Sequence, residues 1–285
     1  MKSCKSVLLA LLAAILSIWL TPVRASAQSV LASSNPSGSA ADGSRVASTP
    51  RPTPRTPDGK PDFSGVWNGP AKYLNQDFPN GMPYTPAGLA AYQYNMTKAV
   101  DPQSLCILIG EPRADNDAQP FEIIQTPNRI AFLYERDDAW RAIPLDGRQH
   151  PKSPEPSFFG DAVGSWDGDT LVVDIVGFKG NKIWSDNVGH PQSDALHLIE
   201  RWTRPDADHL QVELTIDDSK YYTQPIKIVR KLTRQAYELI EFSCDENNID
   251  REHLGPGLGT KDGTRGYDKD VIKKLPTANQ TGGNP

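Results

Sequence analysis

"FFGDAVGSWDGDTLVVDIVGF", residues 158–178, decides the fold. Asp167-Gly168 is a dipeptide favoured in tight β-hairpin turns, and the runs on either side of it alternate apolar with small or polar residues. Two strands folded back on each other, Asp161–Trp166 and Asp169–Val176, are predicted. The same period-two pattern runs outward in both directions. It predicts further strands over Phe121–Thr126, Arg129–Glu135, Ala139–Ile143, Asp194–Thr203, His209–Asp217, Pro225–Leu232 and Ala236–Ser243. Short strands with recurrent turn signals argue for a sandwich or a barrel.

In a meander, successive connections lie at alternate ends of the sheet. Counted this way, the tight turns 137–138, 167–168, 204–208 and 233–235 collect at one end. The long loops 144–160, 177–193 and 218–224 collect at the other, together with the chain after Cys244. The expected fold is therefore an all-β, antiparallel up-and-down barrel shaped as a cup. One short N-terminal helix accompanies it in "YTPAGLAAYQYNM", with Thr85 as N-cap, Pro86 at the first helical position and Leu89, Tyr92 and Met96 at helical spacing.

Alternation also assigns the faces. Leu210, Val212, Leu214 and Ile216 point inward, as do Ile130, Phe132 and Tyr134. Leu196, Leu198 and Trp202 carry Glu200 to the inner face, and Ile226, Ile228 and Leu232 carry Arg230 there. Two opposite charges inside an apolar barrel are expected to pair.

The N-terminus sets the compartment. Lys2 and Lys5 precede the apolar run Val7–Leu20, and Ala25-Ser26-Ala27 gives the small-x-small pattern of a signal-peptide cleavage site before Gln28. Residues 1–27 are read as a signal peptide, 28–60 as a disordered leader rich in Pro, Ser and Ala, 61–250 as the barrel and 251–285 as a flexible tail. The mature chain is expected in the periplasm or outside the cell. Removing Lys2, Lys5 and Arg24 leaves 27 basic and 35 acidic residues, a net charge of −8 that repels nucleic acid and anionic lipid. No later apolar run is long enough for membrane insertion, and the sequence carries no signal for an oligomeric state. Cys106 and Cys244 are the mature cysteines; after export they form one disulfide or remain two buried thiols.

The signatures of serine hydrolases and zincins, GxSxG and HExxH, are missing. "GPGLGTKDGT" has neither the preceding strand nor the following helix of a phosphate-binding loop. No cofactor is expected. A metal triad of His150, His190 and His197 is disfavoured because His197 has outward parity. His209 and His253 read as solvated residues. His150 and His190 each precede Pro on long loops of the expected mouth, where Asp161, Asp186 and Glu246 also fall. These five are the candidate acid–base residues, since a carboxylate fixes the tautomer of a His that titrates near neutrality. Trp184, Phe158 and Phe159 at the mouth, with Tyr134, Glu200 and Arg230 on the inner face, are the candidate ligand-binding residues. The leading expectation is that the cup binds a small, largely apolar or aromatic molecule. The alternative is an enzyme, an isomerase, lyase or hydrolase, using His/carboxylate chemistry at the same mouth.

The phrases "TPDGKPDFSGVW", "FEIIQTPNRIAFLYE", "GRQHP", "GDAVGSWDGDTLVVDIVGF", "GHPQSDALHLIERW" and "EFSCDENN" resemble a set of secreted, uncharacterised bacterial β-barrel proteins of lipocalin-like type, over most of residues 56–250. The resemblance implies a barrel, export and a Cys106–Cys244 bond, and it implies no activity. The chain departs from the family pattern at Asp245, where the family has His.

Overall fold

The computed structural model describes residues 50–69, 71–246 and 248. They build an all-β, antiparallel barrel with one α-helix. The strands are β1 (Gly65–Asn68), β2 (Phe121–Thr126), β3 (Arg129–Tyr134), β4 (Trp140–Pro144), β5 (Asp161–Asp167), β6 (Thr170–Val176), β7 (His197–Thr203), β8 (His209–Asp217) and β9 (Ile226–Arg234). The opening quotation is the β5–β6 hairpin. Asp167 pairs with Thr170, so the two-residue turn is Gly168-Asp169, with Gly168 at φ +60°, where a residue with a Cβ is strained.

The predicted inner faces hold. Leu210, Val212, Leu214 and Ile216 are buried, as are Ile130, Phe132, Leu198, Glu200, Trp202, Ile226, Ile228 and Arg230. Other expectations change. Ala236–Ser243 alternates like a strand but lies outside the sheet, with Tyr237, Ile240 and Phe242 exposed. The edge of β9 on which it would pair is taken by β1, four residues too short to show a period. Helix α1 (Pro86–Thr97) is capped by Thr85, whose Oγ1 accepts the Gly88 N–H, yet it buries Gly88, Ala91 and Asn95 while Leu89 and Met96 stay exposed. Glu200 and Arg230 both point inward but do not pair. Arg230 binds Asp77 and Asn116, and Glu200 binds Arg141.

The strand order is β4-β3-β2-β1-β9-β8-β7-β6-β5. Every hydrogen-bonded neighbour is antiparallel, and nine is odd, so the edge strands β4 and β5 run in the same direction. They lie side by side with no ladder between them. At mid-height the contact is close: a Cβ on Gly164 of β5 would stand 2.7 Å from Ile143 Cγ2 of β4. The parity corrects the expected layout. The turn at 136–138 lies at the end where β5 begins, opposite the hairpins at 168–169 and 204–208. The 145–160 connection runs the length of the wall, from the Leu145 N–H donating to Asn128 O at the hairpin end to the Ser157 N–H donating to Gly177 O at the loop end.

The loop end of the cup is also occupied. Residues 107–116 lie across the loop end with Ile109, Glu111, Ala114, Asp115 and Asn116 buried, and Leu74 joins the buried core to which the inward aromatics Phe121, Phe132 and Trp202 belong. The Cys106–Cys244 disulfide forms, with Cα atoms 5.4 Å apart, and fastens the start of this segment to the chain beyond β9. Residues 50–61, assigned from sequence largely to the leader, run along the barrel: Arg55 makes two bonds to Asp169, Arg51 pairs with Asp208, and Arg55 bridges to Pro61. The signal-peptide segment, the Gly-rich "GPGLGTKDGT" and His253 lie outside the described residues. Among the described residues no helix is long and apolar enough to cross a membrane.

Candidate functional site

The predicted site residues, apart from Arg230 and Glu246, fall into four groups. The first is a charged cluster inside the loop end. Arg141, on β4, faces inward because it alternates with the exposed Trp140. Its Nη1 lies 2.5 Å from Glu200 Oε1 and 3.4 Å from Glu111 Oε1, and its Nη2 lies 3.0 Å from Glu200 Oε2 and 3.4 Å from Asp115 Oδ2. The Tyr134 hydroxyl donates to Glu111 Oε1 at 2.8 Å, and the Trp202 indole N–H donates to Glu200 Oε2 at 2.7 Å. The three carboxylates converge closely enough to share a cation, and the Arg141 guanidinium is that cation. One guanidinium cannot balance three buried carboxylates. Burial, with the Glu200 charge adding to it, pushes Glu111 up to about 7 against the pull of Arg141 and Tyr134. Burial and the neighbouring Glu111 raise Asp115 well above the usual carboxylate range. Sequence reading found Tyr134 and Glu200. It missed Glu111, Asp115 and Arg141, the first two because an irregular segment has no period to assign its faces.

The second group is a cleft between the parallel edges. Where β4 and β5 diverge at the loop end, a cavity of about 450 Å³ opens, lined by Leu108, Ala139, Trp140, Arg141, Phe158 and Phe159 among others. Phe159 stacks on Tyr134 with centroids 5.4 Å apart, and Lys179 Nζ sits 4.4 Å above the Phe158 ring at the rim. Arg141 thus belongs to both cleft and cluster. Its Nε–H is buried with no acceptor among the described residues.

The third group surrounds His190, which is buried, and its Nδ1 lies 2.6 Å from Asp186 Oδ2. Asp186 also accepts the backbone N–H groups of Leu74, Val188 and His190. Burial favours its neutral form, but the His190 bond and these N–H groups outweigh that and hold it below the usual range. The His190 ring stacks on Tyr92 of α1 and on Tyr84, at 5.1 and 6.2 Å. Trp184 is buried in the same turn, bridged to Pro191. The carboxylate pins a loop and the ring is covered, so this pair as it stands is a structural staple.

The fourth group lies on the outer wall. His150 Nδ1 is 2.6 Å from Asp161 Oδ1, and its Nε2 is 3.3 Å from Asp174 Oδ1, which His197 Nε2 approaches at 2.8 Å. His150 and His190 are not brought together by any shared partner. Glu246 is exposed beside the disulfide and joins neither histidine.

No family model matches the chain, and no curated protein matches it. Among solved structures, the fluorescent protein UnaG aligns at 15% identity and a TM-score of 0.30, over 61% of this chain and 97% of that one. The fatty acid transporter REP1-NXSQ aligns at 12% identity and a TM-score of 0.34, over 62% and 98%. A secretory abundant heat soluble protein from Ramazzottius varieornatus aligns at 12% identity and a TM-score of 0.32, over 62% and 97%.

Proposed function

We propose that this chain is an exported small-molecule binder whose ligand enters through the side of the barrel, in the cleft between β4 and β5, and not through the mouth, which residues 107–116 cross. The observation that carries this reading is the cleft itself: about 450 Å³, walled by Leu108, Ala139, Trp140, Phe158 and Phe159 and reaching Arg141. Small-molecule sites combine apolar and aromatic walls with a few placed polar groups. The walls suit a flat aromatic or short aliphatic body. The buried Nε–H of Arg141 calls for a hydrogen-bond acceptor on the ligand, and Lys179 at the rim favours an anionic substituent. Of the residues expected to bind ligand, Phe158 and Phe159 keep that role directly, while Tyr134 and Glu200 act behind Arg141.

The test uses anilinonaphthalene sulfonate, an aromatic anion whose fluorescence rises in apolar sites. The mature protein should enhance it saturably. Ala142→Trp, which fills the outer part of the cleft from a half-buried position on β4, should abolish the enhancement while leaving the melting temperature nearly unchanged. Enhancement that survives Ala142→Trp would move the site elsewhere.

A further inference from the structure

The outer-wall group poses a problem of protons. His150 stands between two carboxylates, and a neutral imidazole has only one N–H. The shorter contact, 2.6 Å from Nδ1 to Asp161, takes that hydrogen. Nε2 lies 3.3 Å from Asp174 Oδ1, a contact that only a second proton on the ring or a cation between the two atoms makes favourable. His197 brings a second Nε2 to the same oxygen, at 2.8 Å. The nearby guanidinium of Arg148 does not fill this role, because it is turned to Asp146.

We propose that His150, Asp174 and His197 bind a divalent transition-metal ion on the outer wall of the barrel, with Asp161 as the residue that positions His150. Two imidazoles and a carboxylate are a donor set that suits zinc. Ligands about 2.0–2.1 Å from a tetrahedral ion stand roughly 3.3 Å apart; the His150–Asp174 separation matches that value, while the 2.8 Å His197–Asp174 contact is of hydrogen-bond length and opens on metal binding. The remaining edge, between the two imidazoles, is too long, since the three donor atoms do not all lie within 4.8 Å of one another. His197 is 40% exposed, and metal binding turns its ring toward His150. Asp161 on Nδ1 of His150 repeats the carboxylate–histidine–metal order in which an outer carboxylate fixes the ring that binds the ion. The arrangement draws on three places in the chain, namely the 145–160 connection, the β5–β6 hairpin and β7. The metal triad weighed from sequence contained His190. The structure keeps His150 and His197 and replaces His190 with Asp174.

Zinc chloride alone is the probe, titrated calorimetrically into the full chain carrying no affinity tag. One equivalent should bind. His150→Ala and His197→Ala should each weaken binding at least tenfold, and Asp161→Asn should weaken it about 10–100-fold with the stoichiometry unchanged. His209→Ala removes the exposed His209–Asp206 pair and should change nothing. Cobalt substitution gives a second readout, a visible d–d band lost in His197→Ala. All four residues stand on the outer wall, so circular dichroism should report folded variants. No stoichiometric zinc binding, or equal affinity in wild type and His197→Ala, would overturn the proposal.

Discussion

Changing Glu111 to Gln should remove about 3 kcal/mol of a fall in stability that the wild-type protein suffers between mildly acidic and neutral pH. Glu111 is completely buried, and its carboxyl titrates at about 7 in the folded chain against a reference of 4.5, because burial outweighs the favourable Arg141 charge. The sign follows from proton linkage. Below about 4.5 the group is protonated in both states and costs nothing; above 7 it is ionised in both, and the fold carries a buried charge. Between those limits the folded state holds one proton more than the unfolded state, so stability falls by about 1.4 kcal/mol per pH unit, or about 3 kcal/mol in all. Gln keeps an oxygen to accept the Tyr134 hydroxyl and has no proton to lose. It also relieves Asp115, which Glu111 helps to raise. Urea unfolding of the disulfide-intact protein at half-unit steps from pH 4.5 to 8 measures the slope. A Glu111→Gln protein whose stability declines as steeply as wild type would refute the reasoning.

Two further outcomes follow from the same packing. Cys106→Ser opens a bond that spans 138 residues, so by loop entropy it should remove roughly 4–5 kcal/mol at most and lower the melting temperature clearly; denatured, unreduced wild type should show no thiol from this pair on quantitative labelling. Glu200→Gln replaces the closest, charged partner of Arg141 by a neutral acceptor and should cost about 1.5–3 kcal/mol, whereas Glu213→Gln on the outer face should cost under about 0.5 kcal/mol. Equal denaturation midpoints for the two would contradict the face assignment.

Period two made most of the barrel legible, because a strand with one buried face must alternate. Leu210 to Ile216, Glu200 and Arg230 all point where alternation sends them. Partnership was less legible. Glu200 and Arg230 share the interior, but Arg230 is met by Asp77 and Asn116, which come from irregular chain whose sequence carries no periodic mark. The site was half-legible for the same reason. The sequence offered Asp161, Asp186 and Glu246 as partners for either histidine without assigning them; in the structure His150 meets Asp161 and His190 meets Asp186, each at 2.6 Å, and each pair is close along the chain. It could not show that the pairs belong to different groups, nor that residues 107–116 would occupy the cup, because a plug is a tertiary fact.

The strand count links these observations. Had the alternating segment 236–243 been the ninth strand, following β9 directly, the two edges of an unbroken meander would still have had to close parallel. Instead β1, inserted between β2 and β9, closes that side with antiparallel ladders on both flanks, and the unmatched junction moves to β4 and β5. Parallel neighbours require a long crossover, and residues 145–160 supply it along the wall. That crossover delivers Phe158 and Phe159 to the cleft and His150 to Asp161 and Asp174. A side opening is thus a consequence of odd parity in a barrel whose loop end residues 107–116 already cross. The residues best placed for recognition lie on the connection that crosses the junction, not around the loops of the mouth.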